Sequence, residues 1–409
     1  MRRGVAIALA SVAAGVAIAP PAAVRLTGYA PDEQHTAFAF APPGFRDVPL
    51  HAPAFDGDAA AFDMLDVERT GRLAPDATAG ASRALLLALS DAWQARAERV
   101  PESAIRSALA PWPAWADRVA EACAGGCGVE KAISASRFLR LTPSMMASMD
   151  RDGDGAVARD EFLGAPLASP HLLGSDGLGR DAFVRLAEGL RLSVVVGVLA
   201  AASAALIGVA YGAAAGASGG FAGAAMMRVV DVLYGLPYVF LVILLISLVG
   251  PSTLNLLIAI ACVQWLGMAR TVRGLTASLL TAPYVEAARV QGAGTARVIA
   301  AHVVPNARRP ILAWAGLLVP ASIKEEAFLS FLGLGVQAPA ASLGTLIADG
   351  APRIAEHPWL VAAPAAALFG VVLLVNVVLE TVAARPGRER KPRKTASRER
   401  AGTASVGDG

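Results

Sequence analysis

The sequence contains no G-x-x-x-x-G-K-[ST] segment, so the chain carries no P-loop with which to bind and split a nucleoside triphosphate. Cysteine is scarce, with three in 409 residues. Cys123 and Cys127 are close, and no second Cys or His pair accompanies them, which argues against zinc. A local disulfide in an oxidising compartment fits better. Cys262, inside an apolar run, reads as a small packing residue. Acids are rare within the long apolar runs, so coupling through intramembrane carboxylates, as in a secondary transporter or channel, has little to rest on. The formal net charge is only +3, and its basic residues cluster beside apolar runs rather than on a nucleic-acid-binding face.

Apolar surface is abundant: 55% of residues are hydrophobic and the mean hydropathy is +0.52, above the soluble norm. A helix rises about 1.5 Å per residue, so about 20 apolar residues cross a hydrocarbon core of about 30 Å. Six runs are candidate spans: roughly 4–24, 191–215, 229–250, 253–269, 310–323 with an apolar continuation, and 359–383. The first follows Arg2-Arg3, and Pro20 after Ala-Ile-Ala is a poor cleavage context, so 1–24 reads as an uncleaved anchor. Arg270, Arg273, Arg289, Arg297, Arg308 and Arg309 lie in or beside the connection between the fourth and fifth runs, and a basic tail, 385–409, follows the sixth. With six spans these clusters share one side, which the positive-inside rule makes cytoplasmic, both termini included. The tail is either simply solvated or laid against anionic lipid heads of the bilayer. The uncharged connector from Gly250 to Asn255 and the long segment 25–185 then fall outside.

That outer segment is expected to hold a small, mainly helical domain at about 50–165, with Ala81–Trp93 as an amphipathic helix. Arg137–Met146 reads similarly but less cleanly, because Pro143 sits inside it. Asp150-Arg-Asp-Gly-Asp-Gly-Ala-Val-Ala-Arg-Asp-Glu161 fits the EF-hand pattern D-x-D-x-D-G-x5-E. Calcium is a hard cation that takes many oxygens. Asp150, Asp152 and Asp154 would supply one carboxylate each, Ala156 its carbonyl and Glu161 both oxygens, with Ala158 acting through water and Gly155 making the sharp turn. Val157 is expected to pair with a sister loop that starts at Asp66 and lacks an acid at its twelfth position, Ala77; Pro166 shortens the helix after Glu161. Three readings stand: Ca2+ as a structural staple, Ca2+ as a sensed gate, and an acidic surface turn without metal.

Between the fourth and fifth runs, residues 284–306 are polar and basic, framed by Glu286-Ala287-Ala288, Gly292 and Val304-Pro305. On a short helix, Glu286, Ala287 and Ala288 leave a small face that can enter a partner's groove. Gly292 allows a turn between two short helices, and Pro305 is expected to end the second. Lys324, Glu325 and Glu326, at the end of the fifth run, read either as functional charges at membrane depth or as a locally paired cluster at the outer face. Arg228 and Asp231, three apart, are expected to pair along one helix.

The frame of 284–306 closely resembles the EAA loop of ABC-importer permeases. Gly174-Ser-Asp-Gly-Leu-Gly-Arg-Asp181, Arg228-Val-Val-Asp231 with Pro237, Glu326–Gln337 and Leu343–Gly350 resemble, in order, segments of the dipeptide/oligopeptide/nickel class. The resemblance covers about 170–384 and the N-terminal anchor. It implies an all-α integral membrane protein with six transmembrane helices of the type I importer fold, a core at 186–384, and the bacterial inner membrane as its place. It implies a permease that is not itself an enzyme and works with a second permease subunit, separate ABC ATPase subunits docked at 284–306, and an extracytoplasmic solute-binding protein. It implies peptides or related small solutes such as nickel. Leu343 stands where the family usually has an aromatic, Leu379-Glu380 where it more often has Gly-Asp, and the link between the first two spans is normally much shorter. A secondary transporter and a membrane-anchored calcium sensor are the competing classes; the first leaves 284–306 unexplained, and the second leaves five spans superfluous.

Overall fold

The computed structural model describes residues 2–49, 55–57, 60–66, 69–74, 79–95, 97, 99–123 and 128–383. The chain begins with helix α1 (Arg2–Thr27). It then builds a small domain whose ends are tied together: strand β1 (Arg46–Asp47) pairs antiparallel with β4 (Ser169–Pro170), in the register Arg46 opposite Pro170 and Asp47 opposite Ser169. Between them lie α2 (Ala60–Leu65), β2 (Arg72–Leu73), α3 (Ala79–Gln94), α4 (Glu102–Ala108), α5 (Pro113–Ala122), α6 (Val129–Ala135), α7 (Pro143–Met149) and β3 (Val157–Ala158). Ala81, Leu85 and Leu89 recur every fourth residue on α3 and are buried. They join Phe38, Phe45, Ile105, Trp115, Val119, Ile133 and Leu139 in one core. Each large apolar side chain buried there contributes about 1.5–3 kcal/mol, while fixing each residue's backbone costs about 1–2 kcal/mol. No one of these short helices would hold alone, and sharing a core is what orders them. Pro143 does not sit inside a helix over 137–146 as expected. It opens α7, where a missing N–H is harmless, with the Thr142 hydroxyl accepting from the Met145 N–H at 3.2 Å.

The second body is the helical bundle: α8 (Ala182–Ser218), α9 (Gly220–Tyr234), α10 (Tyr238–Val249), α11 (Thr253–Leu279), α12 (Pro283–Val290), α13 (Thr295–Val298), α14 (Val304–Phe331), α15 (Leu343–Gly350) and α16 (Trp359–Ala383). α8 lies most extensively along α11 and next along α14. Gly208, Gly212 and Gly216, one turn apart, face α11: a Cβ on them would sit 2.5 Å from the Met268 Cβ, 2.4 Å from the Ala269 carbonyl and 2.7 Å from the Thr276 Cβ. In lipid, where apolar surface gains nothing by leaving the solvent, this close backbone approach is what holds helices together. α1 docks through Val16 against Val194, Ile323, Val371 and Val375.

Among the described residues three helices are long and apolar enough to cross a membrane: Ala182–Ser218, Thr253–Leu279 and Trp359–Thr381. A fourth span is made if α9 and α10 count as one. The expected single span at 229–250 is therefore corrected. Its chain breaks at Gly235-Leu236-Pro237 and bends by 88°, because proline lacks the N–H and disfavours helical geometry before it. α14 contains the expected 310–323 run but also Arg308, Arg309, Lys324, Glu325 and Glu326, which dilute its hydropathy. In α1 the described apolar stretch is Ala14–Thr27. Asp231 does not pair with Arg228. Arg270 of α11 reaches it at 2.8 Å while lying 4.1 Å over the Tyr234 ring, so the ion pair joins two helices. Cys262 faces outward from α11 rather than packing inside.

Candidate functional site

Residues 284–306 form a helical hairpin at one end of the bundle. α12 starts with Pro283 at its first turn and ends in a Schellman turn: the Gly292 N–H donates to the Arg289 carbonyl (2.9 Å), and the Ala293 N–H to that of Ala288 (3.0 Å). That turn needs a left-handed residue, and Gly292 takes φ = +86°. Val285, Val298 and Val303 are fully buried together, with Leu279, Leu280 and Ala293 against them, so the hairpin has its own small core. Glu286, Ala287 and Gly292 are exposed, Ala288 half-buried, and Val290 is 84% exposed. Glu286 thus stands at the free face beside uncovered apolar groups.

Pro305 is a correction. The helix does not end before it. A π-helical turn (Ile299–Val303) passes directly into α14, with Val304 in helical geometry and Pro305 in its first turn. The wide turn removes the tight i→i−4 spacing that a proline ring would violate. The hairpin is in this way rigidly continuous with the long helix behind it.

The motif before α8 is a second built element. Asp181 caps α8 through the Val184 N–H (2.8 Å) and holds His171 Nδ1 at 2.7 Å. Asp176 accepts from the Leu178 and Arg180 N–H groups and pairs with the Arg180 guanidinium at 2.8 Å. Beside it lies a buried network that no sequence pattern announces, because its members are far apart in the chain. Tyr29 donates its hydroxyl to the Asp47 carbonyl (2.7 Å) and stacks on His171 with centroids 4.1 Å apart. Arg140 pairs with Asp47, whose other carboxylate oxygen is 2.7 Å from His35 Nδ1. Burial pulls the Arg140 guanidinium down to about 10, still cationic at neutral pH. Removing one partner of such a buried pair costs about 3–5 kcal/mol, so the junction between the small domain and α8 is stiff.

The acidic loop follows α7. Asp150 accepts from the Gly153 N–H (2.7 Å) and the Gly155 N–H (2.9 Å). Asp152 and Asp154 turn back on the Asp154 and Ala156 N–H groups. The carboxylate oxygens of Asp150, Asp152 and Asp154 come within 4.8 Å of one another, a hard-oxygen set that suits calcium. Glu161 is folded inward: Oε1 accepts from the Arg151 N–H (2.8 Å) and Oε2 from the Ala158 N–H (3.0 Å). These amide bonds hold its carboxyl below the usual glutamate range. Val157 pairs with Leu73 and Ala158 with Arg72. The sister loop repeats the cradle, with Asp66 accepting from Thr70 (2.8 Å) and Gly71 (2.7 Å). Arg72 also reaches across to Asp154. The expected short helix after Glu161 is replaced by a turn that leads to the bridge between Phe55 and Pro166. Ala77 lies outside the described residues, as do Cys127 and the tail from 384. Cys123 is buried and disulfide-bonded.

Lys324, Glu325 and Glu326 form no ion pair with one another. Lys324 is exposed, Glu325 accepts from the Gln264 carboxamide, and Glu326 is fully buried against Ser330 Oγ at 2.8 Å. The helix places successive residues about 100° apart, so neighbours in sequence face different surroundings.

Residues 208–388 match the family described as "Binding-protein-dependent transport system inner membrane component". The chain is similar to the oligopeptide transport system permease protein OppC of Salmonella typhimurium, 45% identical over 212 residues, which is 52% of this chain and 70% of that one. OppC of Escherichia coli K12 is 41% identical over 242 residues, 59% of this chain and 79% of the relative. The chain belongs to this family. The dipeptide transport system permease protein DppC of Bacillus subtilis is 44% identical over 194 residues, 47% of this chain and 61% of its own length. A chain of the MetNI methionine ABC transporter in inward-facing conformations is a looser likeness, 16% identical at a TM-score of 0.40, over 49% of this chain and 94% of that one. As an inner-membrane transport component, the chain is a multi-pass permease subunit and not an enzyme. The match starts within α8, so the small domain at about 50–165 lies outside it.

Proposed function

We propose that the chain is a permease subunit of an ATP-driven importer of peptides. In this reading it crosses the membrane six times, with α1, the α9–α10 pair and α14 completing the spans, and with the small domain on the extracytoplasmic side. Its partners are a second permease, ABC ATPase subunits and an extracytoplasmic solute-binding protein. The observation that carries the coupling role is the exposed hairpin 284–306, which has its own core and passes without a break into α14. A rigid foot of this kind transmits displacement of its tip to a long helix. Glu286, Ala287, Ala288 and Gly292 form the docking face, and Pro305 lies in the stiff joint. The peptide substrate is supported by relatives named for oligopeptides and dipeptides.

The acidic loop is a calcium site in the same reading, with Asp150, Asp152, Asp154, the Ala156 carbonyl and Glu161 as ligands. Its role is that of a staple: it lies between α7 and β3, and β3 ties to the sister loop. Extracellular modules of this chemistry bind at about 10⁻⁴–10⁻³ M. Cys123 and Cys127 form the domain's disulfide. The test is reconstitution of the chain with its partner permease, ATPases and binding protein in vesicles. Uptake of labelled dialanine that needs ATP and the ATPases is expected, and uptake that proceeds without them would overturn the reading.

A further inference from the structure

One cavity in the bundle has no part in the hairpin or the acidic loop. It measures about 360 Å³ and opens between the α9–α10 break, the middle of α11 and the second half of α14, with Tyr234, Leu236, Tyr238, Gln264, Gly267 and Glu325 on its walls. Gln264 is eleven residues along α11 (253 to 264). At about 1.5 Å per residue that is about 16 Å from its start, near the middle of a hydrocarbon core of about 30 Å.

The polar groups here are arranged, not incidental. The Gln264 carboxamide donates to Glu325 Oε2, and Gln264 Oε1 accepts from Ser322 Oγ at 2.7 Å, which fixes which way the amide points. The Tyr238 hydroxyl is buried beside Glu325 and interacts with its carboxylate, though outside strict hydrogen-bond geometry. Among the described residues no basic side chain lies within ion-pairing distance of Glu325; Lys324, next to it in sequence, is exposed and acts on it only at longer range. An amide orients a carboxylate but does not neutralise it. An acid at membrane depth with no cation in contact is costly to keep and is explained when a cation visits it. A primary ammonium brings three N–H donors on a small cation. Glu325 and the Tyr238 hydroxyl offer acceptors, and the Tyr238 ring offers a face for the charge. The Tyr234 ring is already taken by Arg270.

We propose that this cavity is a subsite of the translocation path in which Glu325 receives the ammonium group of a passing peptide, oriented by Gln264 and completed by Tyr238. It rests on the peptide reading above. The test uses the complete permease–ATPase complex in nanodiscs without the binding protein, so that selection by the binding protein does not enter. Dialanine should bind at least ten-fold more tightly than N-acetyl-dialanine, and methylammonium should compete with dialanine while sodium at the same concentration should not. Glu325→Gln should lose at least ten-fold for dialanine, leave N-acetyl-dialanine unchanged and still assemble with the ATPases, with Glu325→Asp intermediate. Wild-type binding of dialanine by the Glu325→Gln complex would overturn the subsite. So would competition by sodium equal to that by methylammonium, which would make it an inorganic cation site. Should Glu325→Gln fail to assemble, the competition on the wild type decides alone. If the complete wild-type system with its binding protein takes up no dialanine, the peptide reading falls first. Normal uptake with an indifferent Glu325 removes only the subsite.

Discussion

Gly292 separates a turn from a docking surface. Its φ is +86°, and nothing lies within 4 Å of where a Cβ would stand. Inside this chain a side chain there meets only the backbone cost of the left-handed region, about 1–2 kcal/mol for alanine and less for asparagine, whose short polar side chain is at home there. Since 1.4 kcal/mol is tenfold in an equilibrium, Gly292→Ala should raise local opening of the hairpin by roughly five- to thirty-fold, and Gly292→Asn by less. Hydrogen exchange across 284–303 reads this directly. Transport reads something else. If the face sits in an ATPase groove, size and charge decide, and ATP-driven uptake should fall in the order Gly, Ala, Asn, Asp. Gly292→Asp should then hydrolyse ATP without moving solute while inserting normally. If the residue is only a turn, uptake should follow the backbone cost, and asparagine and aspartate should outperform alanine. Normal uptake per ATP hydrolysed in Gly292→Asp would refute the coupling assignment.

Two further outcomes test the acidic loop. Arg72 occupies one oxygen of Asp154 through a pair in which Arg72 is 61% exposed. An exposed pair is worth at most about 1 kcal/mol, so Arg72→Ala should tighten calcium binding by up to about five-fold in calorimetry on the full-length protein, and an absence of heat at millimolar calcium would remove the site. The backbone amides of Ala158 and Arg151 hold the Glu161 carboxyl below its ordinary 4.5. The stability this adds is complete above that value and lost as the pH falls through the lower folded-state value. The thermal-unfolding gap between the wild type and Glu161→Gln should therefore close as the pH drops beneath 4.5, and a gap that stays constant with pH would show that Glu161 does not titrate in the fold.

Much of this was legible where the physics is local. The apolar runs at 191–215, 253–269 and 359–383 announce α8, α11 and α16, since only bilayer thickness and helix rise are needed. Gly292 announces its turn, and the spacing from Asp150 to Glu161 announces a loop whose carboxylates converge. The errors share one cause. Pro305 reads as a helix end and Pro143 as a residue inside a helix, but a proline is at home in a first turn, and only the neighbouring backbone says which turn is first. Arg228 and Asp231 are three apart and suited to each other, yet Arg270 comes from another helix and takes the acid. Lys324, Glu325 and Glu326 read either as functional charges or as a paired cluster because they are adjacent, and the helix sends them to different surroundings.

The sequence alone settled that this chain lives in a bilayer, carries no P-loop motif and offers a polar foot between two long apolar segments, because hydropathy, motif spacing and charge bias are properties of short stretches. The tertiary structure decided what depends on residues distant in the chain. Asp47 meets His35 and Arg140, the α9–α10 break faces Gln264 and Glu325, and the foot is fused to α14 through a π turn. Such meetings are set by how helices pack against one another, and no window of sequence contains both partners.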